Sequence, residues 1–230
     1  MITIIPAILE KSLGEFETQL ARVWSYVPRV QVDVIDGVYA PIETVGPEML
    51  NQIDTIVNFD VHLMVDEPEK WVGRCVMGGV DRVVGQVEKM RDVEAFIASV
   101  QSEGLSVGLG FELDTPLDLL KEFLYDLDFV LLMAVKPGEQ GQVFGERVLE
   151  KIKEVRKISK KITIQVDGGL NEENIKKCLA AEWAEEISED ELNREVFSME
   201  FIVGSHLLKS TNIENELGHL QNLEVHSDSI

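Results

Sequence analysis

Three residues of types that do chemistry stand near the ends of apolar runs that are far apart in the sequence. Asp33 and Asp167 could supply two carboxylates and His62 an imidazole. If they meet, they could hold a divalent cation, with Gln31 adding a neutral amide oxygen. They could also form an acid–base pair, because two close carboxylates repel and one is driven towards its neutral form. Singly, such an aspartate often only caps a turn, and such a histidine is often only packed.

Glycines supply a second group of candidates. Gly168 and Gly169 follow Asp167 directly, and Gly204 and Ser205 follow the last apolar run. Glycine lets backbone N–H groups come close to an oxyanion, although a short glycine pair is more often just a turn. The segment 136–142, which contains Gly138 and Gly141, could close over a ligand.

The elements that must position these groups are eight apolar runs separated by amphipathic stretches. Continuous runs rich in Val, Ile and Leu indicate parallel strands that are buried on both faces. The runs are Ile2–Leu9, Val30–Ile35, Ile56–Met64, Asp81–Val87, Leu105–Phe111, Asp128–Val135, Lys161–Val166 and Glu200–Val203.

Eight strands, each followed by a helix, predict a closed (β/α)8 TIM barrel of the α/β class. An open doubly wound sheet is the alternative, but the first run lacks the Gly-rich loop that such sheets usually carry. In a barrel the strand ends share one face, and the loops after strands seven and eight often bind phosphate.

One barrel domain is expected over residues 1–230, with one irregularity. An acidic insertion at about 182–199 separates the seventh helix from the eighth strand, and it is longer than such connections usually are. We interpret it as an extra helix at the face opposite the active site, used for surface packing or a subunit contact.

The charge balance excludes several classes of partner. The chain has 42 acidic and 21 basic residues, so its net charge is -21, which should repel nucleic acid and anionic membranes. A phosphate must therefore be bound locally, through backbone N–H groups. The two cysteines, Cys75 and Cys178, lie in no metal or redox motif, and the sequence shows neither a leader nor a membrane-spanning run. We expect a cytoplasmic homo-oligomer without nucleic acid or membrane partners.

At this point the sequence resembles the ribulose-phosphate 3-epimerase family over nearly its whole length. Each matching segment follows the expected strand. The segments are Asp33-Val34-Ile35-Asp36-Gly37, Ala40-Pro41, Gly46-Pro47, Asp60-Val61-His62-Leu63-Met64-Val65, Leu131-Leu132-Met133-Ala134-Val135, Pro137-Gly138, Val166-Asp167-Gly168-Gly169 and Val203-Gly204-Ser205.

The resemblance implies a metal-assisted epimerase that inverts C3 of a ketopentose 5-phosphate and interconverts ribulose 5-phosphate and xylulose 5-phosphate. It implies that Asp33 and Asp167 are base and acid, and that both also touch a divalent ion (Zn, Fe, Mn or Co) together with His62 and residue 31. The substrate is expected against Met64, Met133 and the glycines, which are Gly138, Gly141, Gly168, Gly169 and Gly204, with Ser205.

Three single positions and one loop depart from the family pattern. Gln31 stands where the family usually has a histidine ligand, so the metal should bind more weakly or be of a harder type. Ala7 replaces a serine, and Gln86 replaces a histidine. In the loop after strand six, Glu139 brings a negative charge towards the supposed phosphate, and Gln140 replaces a glycine.

These departures leave a second hypothesis open beside the epimerase: a diverged noncatalytic sugar-phosphate-binding or assembly protein on the same barrel. A third, a barrel decarboxylase of the orotidine-phosphate type, is disfavoured because Ile35 occupies the place of its usual lysine.

Overall fold

Parallel strands form a closed barrel in the computed structural model, which describes residues 2–136, 142–183 and 198–223. The strands are β1 (Thr3–Ile8), β2 (Arg29–Ile35), β3 (Asn58–Met64), β4 (Arg82–Gln86), β5 (Ser106–Phe111), β6 (Phe129–Met133), β7 (Thr163–Asp167) and β8 (Met199–Val203). Each pairs with the next in chain order, and β8 pairs with β1. The predicted barrel is confirmed, and the open sheet is excluded because no described strand is left at an edge.

Helices cover the outside of the barrel. They are α1 (Leu13–Val23), α2 (Val72–Gly78), α3 (Val93–Ser102), α4 (Asp118–Phe123), α5 (Arg147–Ile158), α6 (Glu172–Trp183), α7 (Ser205–Leu208) and α8 (Ile213–Gln221). The connection after β2 differs from the prediction, because it holds the 3-10 turn Pro47–Gln52 in place of an α-helix. Pro47 opens this turn, at the first position of a helical segment, where a proline is tolerated. In the described part of the chain, no helix has the length and apolar character needed to cross a bilayer.

Alternation along the strands separates the outer core from the barrel interior. In β6, Val130 and Leu132 point outward into the large core beneath the helices. Leu131 and Met133 point inward, where they pack with Val84 of β4. Successive strand residues face opposite sides, so the outward face is apolar beneath the helices and part of the inward face is apolar as well. This is why the runs in the sequence are continuous.

Charged side chains fill the barrel interior one layer below the candidate site. Asp60 accepts hydrogen bonds from Arg29 and Arg82. Arg82 Nη1 lies 2.9 Å from Glu200 Oε2, which also accepts from Gln165 Nε2 at 2.8 Å. Each of these charges is paired, as burial requires.

A buried ion pair joins α5 to α6. Arg156 and Glu182 are 2% and 3% exposed, and Arg156 Nη2 lies 2.6 Å from Glu182 Oε1. Arg156 also donates to the carbonyl oxygens of Ile162 and Ser198, which precede β7 and β8. Of the predicted acidic insertion, Glu182 thus belongs to α6 and Met199 to β8. Residues 184–197, which make up most of the predicted extra helix, lie outside the described residues.

We predict that Glu182→Ala lowers the free energy of unfolding by about 1.5–3 kcal/mol, because Arg156 loses the buried carboxylate that accepts hydrogen bonds from its Nε and Nη2 atoms. The double variant Arg156→Met with Glu182→Leu should lower the free energy of unfolding by less than Glu182→Ala does. Denaturant titration measures both values. Glu173→Ala on the same helix removes only an exposed partner of Lys177 and should change little. If Glu182→Ala were as stable as that control, the structural role of the pair would be contradicted.

Candidate metal centre and active site

The side chains of Asp33, His62 and Asp167 meet at one point inside the barrel. His62 Nδ1 lies 3.4 Å from Asp33 Oδ1 and 3.6 Å from Asp167 Oδ2. One possible ligand atom from each residue lies within 4.8 Å of the other two. All three residues are buried. Buried oxygen and nitrogen donors at this separation can hold a divalent cation.

Strand register brings the three residues together. Asp33 on β2 is directly paired with His62 on β3. Asp167 on β7 is paired with Ile202 on β8. β1 lies between β8 and β2, and its Ala7 is paired with Gln31. Ala7 lines the same cavity as the two aspartates.

Gln31 joins the cluster through its amide nitrogen. Gln31 Nε2 donates to Asp33 Oδ1 at 2.8 Å and to Asp167 Oδ2 at 2.7 Å. Gln31 Oε1 and His62 Nε2 are buried without a hydrogen-bond partner among the described residues. The sequence predicted that the oxygen of Gln31 would face the other three side chains, whereas the structure turns the nitrogen towards them.

The electrostatics of the cluster follow from burial and charge. Burial alone would lower the pKa of His62, but its hydrogen bonds with Asp167 and Asp33, and their charges, raise that pKa to about 9. Burial raises the pKa of Asp167, and the Asp33 charge adds to this effect. A bound cation could offset the negative charge of these carboxyl groups.

Side chains that the sequence did not single out hold the loop after β2. Thr44 Oγ1 donates to the backbone oxygen of Asp33 at 2.8 Å. Asp36 accepts the backbone N–H of Asp66 at 2.7 Å, which ties the loops after β2 and β3 together. The Asp36-Gly37 pair, with Gly37 at φ 78°, is the signal of a turn that could have identified this anchor.

A cavity of about 700 Å³ opens above the cluster. It is lined by Asp33, Asp167 and six residues expected to contact a substrate: Met64, Met133, Gly168, Gly169, Gly204 and Ser205. Gly138 and Gly141, expected in the same role, lie outside the described residues. Lys136 and Gln142, the two ends of the segment expected to close over a ligand, also line the cavity. Asn171 and Lys209 line it too, and the sequence did not predict them there.

Only glycine fits at the turn after β7. Gly168 has φ 112°, and a Cβ there would lie 2.4 Å from Val135 Cγ2. Gly169 has φ 63°, and a Cβ there would lie 2.8 Å from the backbone nitrogen of Phe144. The chain therefore passes close to the loop after β6, and its backbone faces the cavity without intervening side chains.

The other positions that differ from the expected family pattern lie in different environments. Ala7 lines the cavity. Gln86 is fully buried beside Gly110, and both of its amide atoms lack a hydrogen-bond partner among the described residues. His206 is not one of these positions, but it also lines the cavity, and its Nε2 lies 2.8 Å from Glu216 Oε1. Glu139 and Gln140 lie outside the described residues.

Comparison with known proteins places the chain in a family. Residues 3–187 match the family model described as the ribulose-phosphate 3 epimerase family. The ribulose-phosphate 3-epimerase of Bacillus subtilis is 32% identical over 181 residues, which cover 75% of this chain and 83% of the relative. The enzyme of the same name from Eremothecium gossypii is also 32% identical, over 75% of this chain and 78% of the relative.

Solved structures agree on the fold. KGPDC from Streptococcus mutans superimposes with a TM-score of 0.67 at 14% identity, covering 94% of this chain and 93% of that one. Orotidine 5'-monophosphate decarboxylase from Methanocaldococcus jannaschii gives a TM-score of 0.61 at 15% identity, covering 97% and 98%. At such low identity these likenesses show the barrel fold alone.

We predict that Gly168→Ala lowers the free energy of unfolding by about 1–3 kcal/mol, because an L side chain is strained at this φ and collides with Val135. Gly14→Ala in α1 is the matched control, since a Cβ there meets nothing within 4 Å. Helix propensity should make that variant more stable than wild type by about 0.5–1 kcal/mol. Thermal and denaturant unfolding compare the two, and equal effects would contradict the strain at residue 168.

Proposed function

Since the chain belongs to the ribulose-phosphate 3-epimerase family and is an isomerase of the epimerase type, we propose that it interconverts ribulose 5-phosphate and xylulose 5-phosphate by inverting C3. The observation that carries the proposal is the meeting of Asp33 and Asp167, from two separate strands, beneath one cavity. An inversion needs one group to take a proton from one face of the carbon and another to return it to the opposite face. Two carboxyl groups beneath one cavity meet that need.

In the proposed reaction one aspartate removes the C3 proton as general base. The electrons move to the neighbouring carbonyl and produce an enediolate, and the other aspartate donates a proton from the opposite side. The raised pKa of Asp167, caused by its burial and by the Asp33 charge, supports this role, because a catalytic acid or base works best when its pKa approaches the ambient pH.

We propose that Asp33, His62 and Asp167 hold a divalent ion, of which Zn, Fe, Mn and Co are candidates. The side chains fit such an ion, because they offer two carboxylates and an imidazole around one point, and Gln31 Oε1 is a buried oxygen without a partner among the described residues. Gln31 would be the fourth ligand through Oε1, once its amide turns. A divalent cation here would stabilise negative charge on the substrate oxygens as a Lewis acid.

We propose that the phosphate group lies at the loops after β7 and β8, against Gly168, Gly169, Gly204 and Ser205, with Gly138 and Gly141 closing over it. Glycine backbones that face the cavity support this placement, because their N–H groups are accessible to an oxyanion. Lys136 and Lys209 line the same part of the cavity and add positive charge locally, against the net charge of -21. No observation on the described residues favours the noncatalytic alternative.

We predict that Asp33→Asn and Asp167→Asn each reduce epimerisation by about 10²–10⁴-fold, because an amide can neither accept nor donate the proton. Each variant is incubated with ribulose 5-phosphate in deuterated water. The formation of xylulose 5-phosphate and the incorporation of deuterium at C3 are then measured. Asp54→Asn, which alters an exposed carboxylate before β3, is the control and should keep full activity. Full epimerisation by either site variant would show that its aspartate is neither the base nor the acid.

A further inference from the structure

An amide nitrogen of the chain fills the centre of the candidate metal site. Gln31 Nε2 lies 2.8 Å from Asp33 Oδ1, 2.7 Å from Asp167 Oδ2 and 3.5 Å from His62 Nδ1. A glutamine amide has two N–H donors, and the two carboxylates take both of them. The donor atoms that would surround a cation therefore surround this nitrogen.

The opposite end of the amide is left without a partner. Gln31 Oε1 is buried and accepts no hydrogen bond from the described residues, which is an unfavourable state for a carbonyl oxygen. Turning the amide would place Oε1 against the oxygens of Asp33 and Asp167. These atoms repel one another unless a positive charge lies between them. The direction of the Gln31 amide thus depends on what occupies the centre.

We propose that Gln31 is an internal competitor for the divalent cation: its amide holds the cation-free site closed through Asp33 and Asp167, and a cation enters only when both hydrogen bonds break. This inference rests on the proposed function, because it concerns the cation assigned there. It makes Gln31 the residue that decides how tightly the ion is held.

The interactions lost and gained when a cation enters decide whether Gln31 weakens or strengthens cation binding. Hydrogen bonds to carboxylates are about twice as strong as those between neutral groups, and cation entry sacrifices two of them. In return the amide can offer one neutral oxygen, which a water molecule can replace as a ligand. The amide therefore weakens cation binding on balance. When the cation leaves, the same amide keeps Asp33 and Asp167 at a fixed separation.

The test measures Mn²⁺ binding alone, by titration calorimetry of chelator-treated protein. Gln31→Ala removes the competitor and leaves room for a water ligand, so its Kd for Mn²⁺ should be at least about tenfold smaller than that of wild type. Gln31→His should also bind more tightly, because imidazole is a better ligand. Equal or weaker binding by the alanine variant would overturn the inference, since Gln31 would then act as a net ligand. Absence of binding to both proteins would overturn it together with the cation assignment.

Gln165→Ala is the matched control. Gln165 is also an inward glutamine, 1% exposed, and its Nε2 donates to the Glu200 carboxylate at 2.8 Å. It lies one layer below the cluster, so its loss should leave the Kd for Mn²⁺ within roughly twofold of wild type. A gain as large as that of the Gln31→Ala variant would mean that losing any interior amide loosens the barrel, and would overturn the competition.

The wild-type protein gives a second measurement if Gln31→Ala fails to fold. The side-chain ¹⁵N–¹H signals of Gln31 are assigned by their loss in Gln31→His. Without cation both protons should be protected from solvent exchange, and saturation with Zn²⁺ should shift these signals and remove the protection. Unchanged signals at saturation would overturn the inference.

These readouts separate the inference from the proposed function. If wild type binds Mn²⁺ more weakly than Gln31→Ala yet does not epimerise ribulose 5-phosphate, the reaction assignment alone fails. If wild type epimerises but Gln31→Ala binds Mn²⁺ more weakly than wild type, the competition alone fails.

Discussion

Two buried carboxyl groups that face each other need positive charge or hydrogen-bond donors between them, and this need organises the centre of the molecule. Asp33 and Asp167 receive both N–H donors of Gln31 and lie beside the His62 ring. Without these partners the barrel interior would hold two uncompensated charges in a medium of low polarity. Repulsion between the two carboxylates also favours the binding of a cation or a proton, because either one reduces the negative charge.

The barrel keeps this arrangement in place through elements that have no chemical role themselves. Continuous apolar strands fix the direction of each inward side chain, and the ion-paired layer of Asp60, Arg82 and Glu200 fills the space below. Above the cluster the walls are loops, where glycine backbones and lysines replace apolar side chains. Along its axis the interior thus changes from a layer of paired charges, through the cluster of Asp33, His62 and Asp167, to an open cavity.

Glutamine at position 31 separates this chain from the family pattern in a physically defined way. A histidine ligand offers a lone pair to a cation, whereas an amide can turn either a donor or an acceptor towards the centre. In the described structure the donor faces inward. The chain therefore carries its own hydrogen-bond partner for the two aspartates.

Periodicity along the chain was enough to predict the class of fold, the order of the strands and the candidate aspartates, because strand burial and side-chain alternation are local properties. The glycines after β7 could be located in the same way, since a positive φ favours that residue type. Local patterns did not reveal the 3-10 turn after β2, the anchoring by Thr44 and Asp36, or the buried pair of Arg156 with Glu182. Which end of the Gln31 amide faces the carboxylates became visible in the folded barrel alone, because that choice depends on hydrogen bonds between strands that are distant in the chain.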